Sequence, residues 1–297
     1  MKKILLVGIL GSLFMSDFAS AQSFFAMRRE RSLIALGGIG TSSYLGELAN
    51  NGDYLQANIN IHAGLQYYVS NRIAIRSELS WFQLSGDDKK ATVESGRRER
   101  NLNFQSNCFE FNAVGMINLN PQGRTFYQRP AWNIYAFGGI GLMHFNPTTT
   151  LNGTKYQLQP QQTEKVSYSL ITPVIPLGIG LRFKLGPFSN LTFEGGFRKT
   201  FTDYIDDVST VHHDAASFSS PLAASLSDRG PEIGIAPAKE GSIRGNPNAN
   251  DAYILYSVKF EYYLPVNFLK RDRSGAKTFK TKRKSFYRYN KRGGLKK

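Results

Sequence analysis

The chain has 297 residues, a formal net charge of +15, a mean hydropathy of −0.32 and one cysteine. A single cysteine excludes an internal disulfide, so the fold must be held by its sheet and its core. The longest apolar run, at 4–15, is shorter than the ~20 residues of a spanning helix, which argues against a helical membrane protein.

The N-terminus has the pattern of a secretory signal peptide. Lys2 and Lys3 precede the apolar run, and Ala19-Ser20-Ala21 is a small-x-small cleavage site. We therefore predict that residues 1–21 are removed on export. Export without a helical anchor leaves a periplasmic protein, a secreted protein or an outer-membrane β-barrel.

Residues 55–68 form an alternating segment that predicts a long β-strand. Odd-numbered positions are apolar, as at Ile59 and Leu65, and even-numbered positions are mostly polar, as at Asn60 and Gln66. Fourteen residues at ~3.3 Å each, tilted by ~40°, rise roughly 35 Å, which exceeds the ~25 Å apolar band of an outer membrane. Strands of soluble sheets usually contain about 5–6 residues. The segment therefore predicts a strand that spans a bilayer.

Seven further segments continue this pattern. Two of them are weaker and rich in glycine, which we interpret as sites of bending and close backbone approach rather than nucleotide-binding turns. Together with 55–68 they predict about eight strands, the number in the smallest membrane barrels. The segments are 32–44, 73–82, 107–119, 132–145, 171–184, 191–202 and 253–263.

The connections alternate in length. Those at 69–72 and 186–189 are tight, that at 120–130 is moderate, and 86–101, 146–168 and 205–251 are long and polar. Outer-membrane barrels have short periplasmic turns and long extracellular loops. We therefore predict an all-β, eight-stranded antiparallel OmpA-like barrel over 22–265, located in the outer membrane with both termini in the periplasm.

Charged residues recur on the polar face near the middles of these strands. Inside a closed barrel they can pair, so we predict that the apolar face contacts lipid and that the charges form a structural network in the lumen. The alternative is an exported soluble β-domain with a solvated polar face. The predicted lumen residues are Arg76, Glu78, Glu110, Arg182, Glu194, Arg198, Lys259 and Glu261.

Aromatic residues gather near strand ends, as interfacial girdles do. We predict such a girdle from Tyr44, Tyr67, Tyr68, Trp81, Trp132, Tyr204, Tyr253, Tyr262 and Tyr263.

No arrangement of residues indicates catalysis, so we expect a non-enzymatic protein without metal or cofactor. Cys108 lies in a polar-facing row and is interpreted as a buried structural thiol. Asp203, Asp206 and Asp207 could hold Ca²⁺ weakly, but a solvated, turn-forming cluster is favoured. His212-His213-Asp214 is a weak metal motif, because adjacent side chains on an extended chain point apart. Because side chains fill an eight-stranded interior, we expect no wide pore.

Residues 266–297 form a basic tail with thirteen Lys and Arg residues against Asp272. We predict a disordered periplasmic arm that engages an acidic protein, anionic lipid or the cell wall. Export argues against nucleic acid, and the alternative is a solubilising tail. The predicted partner-binding residues are Lys280, Lys282, Arg283, Lys284, Arg288, Lys291 and Arg292.

Four phrases resemble the PorG-like outer-membrane proteins of the type IX secretion system in Bacteroidota. They are GTSSYLGEL at 40–48, RRERNLNF at 97–104, FTDYIDDV at 201–208, and RGNP at 244–247 followed by Asn250-Asp251. The resemblance covers roughly 32–265, and the basic tail matches no motif of the family. It implies a non-enzymatic OmpA-like barrel associated with the periplasmic ring of the secretion machine.

The functional hypothesis is therefore an outer-membrane anchor or scaffold for a periplasmic secretion complex. It would contact outer-membrane lipid, and its periplasmic turns and tail would bind the ring proteins. A second hypothesis is a barrel whose long loops bind external ligands or surfaces. A third is a narrow channel or a membrane enzyme.

Overall fold

The computed structural model describes residues 31–50, 58–123 and 128–265, and the predicted signal peptide and basic tail lie outside them. These residues form mainly strands, with short helices α1 (Arg97–Arg100) and α2 (Pro221–Ser227). The strands are β1 (Leu33–Leu45), β2 (Asn58–Tyr68), β3 (Ile73–Asp87), β4 (Asn103–Asn118), β5 (Trp132–His144), β6 (Pro147–Leu151), β7 (Thr154–Gln157), β8 (Ile171–Lys184), β9 (Ser189–Thr200) and β10 (Ala252–Tyr263).

Eight of the strands close into an antiparallel barrel. Their order around the barrel is β1, β2, β3, β4, β5, β8, β9 and β10, and β10 pairs again with β1. Closure gives each of these eight strands a partner on both sides, so none of them is a sheet edge. The predicted eight-stranded antiparallel β-barrel is confirmed.

The barrel strands contain 11 to 16 residues, and β8 has the predicted bounds 171–184. β3 and β4 extend further than predicted, so that Ser85 still pairs with Gln105. Apolar alternation stops before this point while backbone pairing continues. The pattern therefore predicts strands that are shorter than β3 and β4. The hairpin β6–β7 lies within the predicted loop 146–168 and was missed, because its Thr-rich sequence does not alternate.

The connections differ in length at the two ends of the barrel. Those at 69–72, 119–131 and 185–188 define the short-turn end, whereas the connections at the other end include the 51-residue segment 201–251. β1 starts and β10 ends at the short-turn end, where Ile34 pairs with Tyr263. The predicted asymmetry of the connections is therefore present.

Apolar side chains lie on the outside of the barrel and polar side chains on the inside. In β4, Phe109 and Phe111 are 52% and 56% exposed, whereas Glu110 and Asn112 between them are buried. The same holds on β8, where Ile179 is 67% exposed and Arg182 is buried. A water-soluble barrel would have the opposite arrangement, so this exterior is suited to lipid.

None of the helices in the described part of the chain has the length and apolar character needed to cross a membrane.

The predicted aromatic girdle is partly wrong. Tyr44, Tyr253 and Tyr263 are at most 3% exposed and lie in the interior, and Tyr68 accepts a hydrogen bond there from Arg182. Neighbouring strand residues point to opposite faces, so pairs such as Tyr67-Tyr68 and Tyr262-Tyr263 cannot both face lipid. Trp132 and Tyr262 are exposed on the outer face, as predicted.

Two strand glycines allow the close backbone approach that their sequence context predicted. A Cβ atom on Gly40 would lie 1.8 Å from the carbonyl oxygen of Tyr256, and one on Gly139 would lie 2.1 Å from that of Ala113. Side chains at these positions would force neighbouring strands apart.

Candidate functional site: the barrel interior and the folded cap

The interior of the barrel is layered from the short-turn end upward. The lowest layer is apolar, with Ile34 and Tyr263 packed against Tyr68 and Phe188. Above it, Arg182 donates to both carboxylate oxygens of Glu261, at 2.8 and 2.9 Å. This bidentate pair joins strands β8 and β10, which are separated by β9.

The middle layer is a network of four charges. The Lys259 ammonium lies 2.7 Å from Glu78 Oε2 and 2.6 Å from Glu194 Oε2. Arg76 completes the network, with Nη2 donating to Glu194 at 3.1 Å and Nε 3.5 Å from Glu78. His62 Nδ1 lies 2.9 Å from Glu78 Oε1. His62 was absent from the predicted network, although its even position in the 55–68 alternation placed it on the interior face.

The upper layer contains Glu110 and Arg198. Glu110 accepts a hydrogen bond from the Tyr253 hydroxyl at 2.6 Å, and Arg198 Nε lies 3.7 Å from its carboxylate. All eight predicted lumen charges thus lie inside the barrel, each near an opposite charge. The four carboxylates and four cations therefore neutralise one another inside the barrel.

Cys108 lies above these layers and is fully buried with a free thiol, as predicted.

The connections opposite the short-turn end fold into a layer over the barrel, which we call the cap; its described residues are 46–50, 88–102, 145–170 and 201–251. The cap packs apolar residues into the barrel mouth, where Leu48, Ile205 and Leu226 join one core with Phe82 and Phe145. The cap is therefore continuous with the barrel core rather than a set of separate loops.

Buried ion pairs hold the cap together. Arg244 donates to Glu164 at 2.6 Å and to the carbonyl of Asp207 at 2.6 Å. Glu164 also accepts from the N–H groups of Ser209 and Thr210, each at 2.9 Å. Burial raises the pKa of Glu164, but Arg244 and these donors outweigh it and leave the pKa below its ordinary value.

A second ion pair lies within the cap segment 88–102, whose arginines also donate to other cap segments. Arg100 donates to both oxygens of Asp88, at 2.8 and 3.0 Å, and also to the carbonyl of Arg244. Arg97 donates to the carbonyls of Glu47 and Ala49. The four phrases that carry the family resemblance therefore meet in the cap, although long stretches of sequence separate them.

The expectation of a solvated acidic cluster at Asp203, Asp206 and Asp207 is wrong, because all three are buried. Asp206 accepts from the N–H groups of Leu48 and Val208, at 3.3 and 3.0 Å. The cap folds over all three carboxylates and supplies Asp206 with backbone donors that replace water.

Burial shifts the protonation of this acidic group. It raises the pKa of Asp203 to about 7 and that of Asp207 to about 6. It also raises the pKa of Asp206 and Asp251 well above the ordinary range. The carboxylate oxygens of Glu47, Asp203 and Asp251 lie within 4.8 Å of one another, and no other such set of potential ligands occurs among the described residues.

The cap also contains a groove of about 510 Å³. Its polar walls include Arg97, Arg100, His212, Asp228 and Arg244. The weak metal motif at 212–214 is not assembled, since no group of three potential ligands forms around it within the described residues.

Strand pairing, an apolar exterior and a charge-filled interior define a closed, eight-stranded transmembrane-type β-barrel. The model of a family described as a domain of unknown function, DUF6089, matches residues 22–220. The chain belongs to this family.

Solved structures with similarity to the chain include several outer-membrane proteins. Neisserial surface protein A has a TM-score of 0.39 and 8% identity, over 78% of this chain and 97% of its own. The attachment invasion locus protein Ail of Yersinia pestis has a TM-score of 0.39 and 8% identity, over 79% and 99%. The β-barrel domain of Pseudomonas aeruginosa OprF has a TM-score of 0.35 and 8% identity, over 79% and 100%. A comparison with curated proteins finds no match.

Proposed function

We propose that the protein is a non-enzymatic, non-conducting barrel of the outer membrane that anchors a periplasmic protein-secretion complex. The proposal depends mainly on the difference in polarity between the outer and inner faces of the barrel wall. Exposed Ile140 and Ile179 are suited to acyl chains, whereas Arg182 and Glu194 are buried in the interior. In this proposal the lumen stabilises the barrel, and binding takes place at its ends.

A filled interior argues against a channel. Lys259, Glu78 and Glu194 connect opposite parts of the wall in the middle layer, so an ion would have to displace paired charges. We expect purified protein to insert into planar bilayers without stepwise conductance. Stable single-channel currents would contradict the anchor proposal.

The secretion role is supported by the family resemblance and by the basic tail. The start of β1 and the end of β10, which precedes the tail in sequence, both lie at the short-turn end. In the proposed orientation this end is periplasmic. The dense positive charge of the tail sequence can attract acidic partners.

Cross-linking in cells tests the secretion role. We expect periplasmic partners to co-purify with the full chain and to be reduced when the seven predicted tail residues from Lys280 to Arg292 are replaced by Gln. Replacing Lys89, Lys155 and Lys239 in the cap by Gln is the matched control, because these lysines are exposed at the other end of the barrel. Equal recovery of partners from both variants would remove the tail from the proposal.

The groove in the cap supports a second candidate function, binding of an external ligand. Its three arginines suit an anionic group, although Arg100 and Arg244 are already engaged with Asp88 and Glu164. Cells that bind fewer anionic polymers after Arg97→Gln, with unchanged recovery of periplasmic partners, would favour this candidate over the first.

A further inference from the structure

The strongest unexplained feature outside the lumen network is a set of acidic oxygens that lack partners. Asp203 is 6% exposed, and neither of its carboxylate oxygens accepts a well-formed hydrogen bond. The Ser209 side chain lowers the pKa of Asp203 but does not offset the effect of burial. Glu47 Oε2 is also buried without a partner. Unpaired buried carboxylates are costly, so their convergence requires a physical explanation.

These oxygens point to one position. Potential ligand oxygens of Glu47, Asp203 and Asp251 lie within 4.8 Å of one another. Asp251 is held in place by the Tyr44 hydroxyl and by the N–H of Ile205 at 2.9 Å. Glu47 is held by the N–H of Asn246 at 3.2 Å, through its other oxygen. These donors fix Asp251 through both of its oxygens, each of which keeps a further lone pair, and they leave Glu47 Oε2 and the Asp203 carboxylate available.

The surrounding protein supplies little positive charge. Arg100 acts on Glu47 and on the neighbouring Asp206, but its guanidinium is paired with Asp88. Burial accordingly raises the pKa of Asp203, of Asp251 and of Glu47. An oxygen-lined position with little positive charge nearby is suited to a cation.

We propose that Glu47, Asp203 and Asp251 bind one Ca²⁺ ion in the cap. Ligands that are all oxygen, with carboxylates able to bind through one or two atoms, suit Ca²⁺ rather than Zn²⁺ or copper. Glu47 follows the end of β1, Asp203 lies near the start of the 201–251 connection, and Asp251 lies at its end. The ion would therefore join β1 to both ends of this connection. It would thus fasten the longest cap segment at its two attachment points.

Calcium titration of the mature protein, folded in detergent and stripped with EDTA, tests the site. We expect one saturable Ca²⁺ per chain by calorimetry, with protection of the 201–251 segment from protease. Asp203→Asn keeps the side-chain shape and should weaken binding by about tenfold or more, since affinity depends on the charge of the ligand set. Glu240→Gln is the matched control, because Glu240 is exposed in the same connection.

Heat-modifiable migration in gels verifies that each variant has a folded barrel. If Asp203→Asn does not fold, the half-buried Glu47→Gln replaces it with the same expected loss. Folded wild-type protein whose dissociation constant for Ca²⁺ is weaker than the roughly millimolar values of extracellular calcium sites would overturn the proposal. So would equal affinities for Asp203→Asn and Glu240→Gln, or a preference for Mg²⁺ over Ca²⁺.

Discussion

The Lys259 ammonium on β10 donates to both carboxylate oxygens of Glu78 on β3, at 2.9 and 2.7 Å. β1 and β2 lie between these two strands in the wall, so the contact spans the interior rather than linking neighbours. Both side chains are about 1% exposed. Their pairing therefore depends on closure of the barrel and in turn favours it.

Breaking this pair should destabilise the barrel. We expect Lys259→Met to lower the free energy of unfolding by about 3–5 kcal/mol, because Glu78 and Glu194 lose a shared buried cation. Urea denaturation of protein folded into lipid vesicles measures the change. Lys239→Met, at an exposed cap position, should leave the midpoint unchanged. Equal midpoints for both variants would show that the pair does not stabilise the barrel.

A charge on the outer wall should oppose membrane insertion. We expect Ile179→Arg to cost about 2–4 kcal/mol if its position is near the bilayer midplane. Ile243 is 82% exposed in the cap, so Ile243→Arg is the matched control and should insert normally. Folding yield in vesicles and urea titration compare the two. A normal yield for Ile179→Arg would indicate that this face does not contact lipid.

The Arg244 ion pair should stabilise the cap without affecting the barrel. Arg244→Met leaves Glu164 without its cation and the Asp207 carbonyl without a donor. We expect proteases to cleave the 201–251 segment faster while heat-modifiable migration is retained. Lys90→Met, at an exposed cap residue, is the control. Loss of the folded barrel in Arg244→Met would show that cap and barrel fold as one unit.

Cap stability should depend on pH when divalent cations are removed. The folded cap raises the pKa of Asp203 to about 7, so between this value and the unfolded value of about 4 the folded state binds more protons. Stability is then complete below about pH 4 and decreases as the pH rises towards 7. The lowered pKa of Glu164 acts in the opposite direction, but only in acid.

A fluorescent label on Glu240→Cys can follow urea-induced opening of the cap, because the native thiol of Cys108 is buried. We expect the midpoint in EDTA to fall from pH 5 to pH 8. Adding Asp203→Asn should reduce this dependence, since the substituted side chain does not titrate, while Asp206, Asp207 and Asp251 still contribute. A midpoint that rises with pH would contradict the assignment.

Alternation along the chain was sufficient to predict the barrel and the sidedness of its strands. It placed Arg182 and Glu261 on the interior face, but it could not show that they pair, because they are 79 residues apart in sequence. The pairing depends on the shear of the closed sheet, because this stagger between strands determines which interior residues lie at the same height along the barrel axis. The contact between His62 and Glu78 likewise depends on this stagger and could not be predicted from alternation alone.

The cap could not be predicted in this way. Asp203 lies in a polar, Asp-rich segment that resembles a solvated turn, and its burial depends on contacts with residues distant in sequence. Glu47 and Asp251 approach it only because β1, β9 and β10 are neighbours in the wall. The composition of a loop indicates only its local polarity, whereas the burial of Asp203 depends on the tertiary structure.

Quenching of Trp81 by brominated lipid tests most directly whether the outer face contacts acyl chains. Trp81 lies on the same face of β3 as exposed Ile75 and Leu79, and Trp132→Phe makes it the single tryptophan. We expect strong quenching by bromines on the acyl chain and little by aqueous iodide in folded protein. Quenching by iodide, with none by brominated chains, would contradict the account.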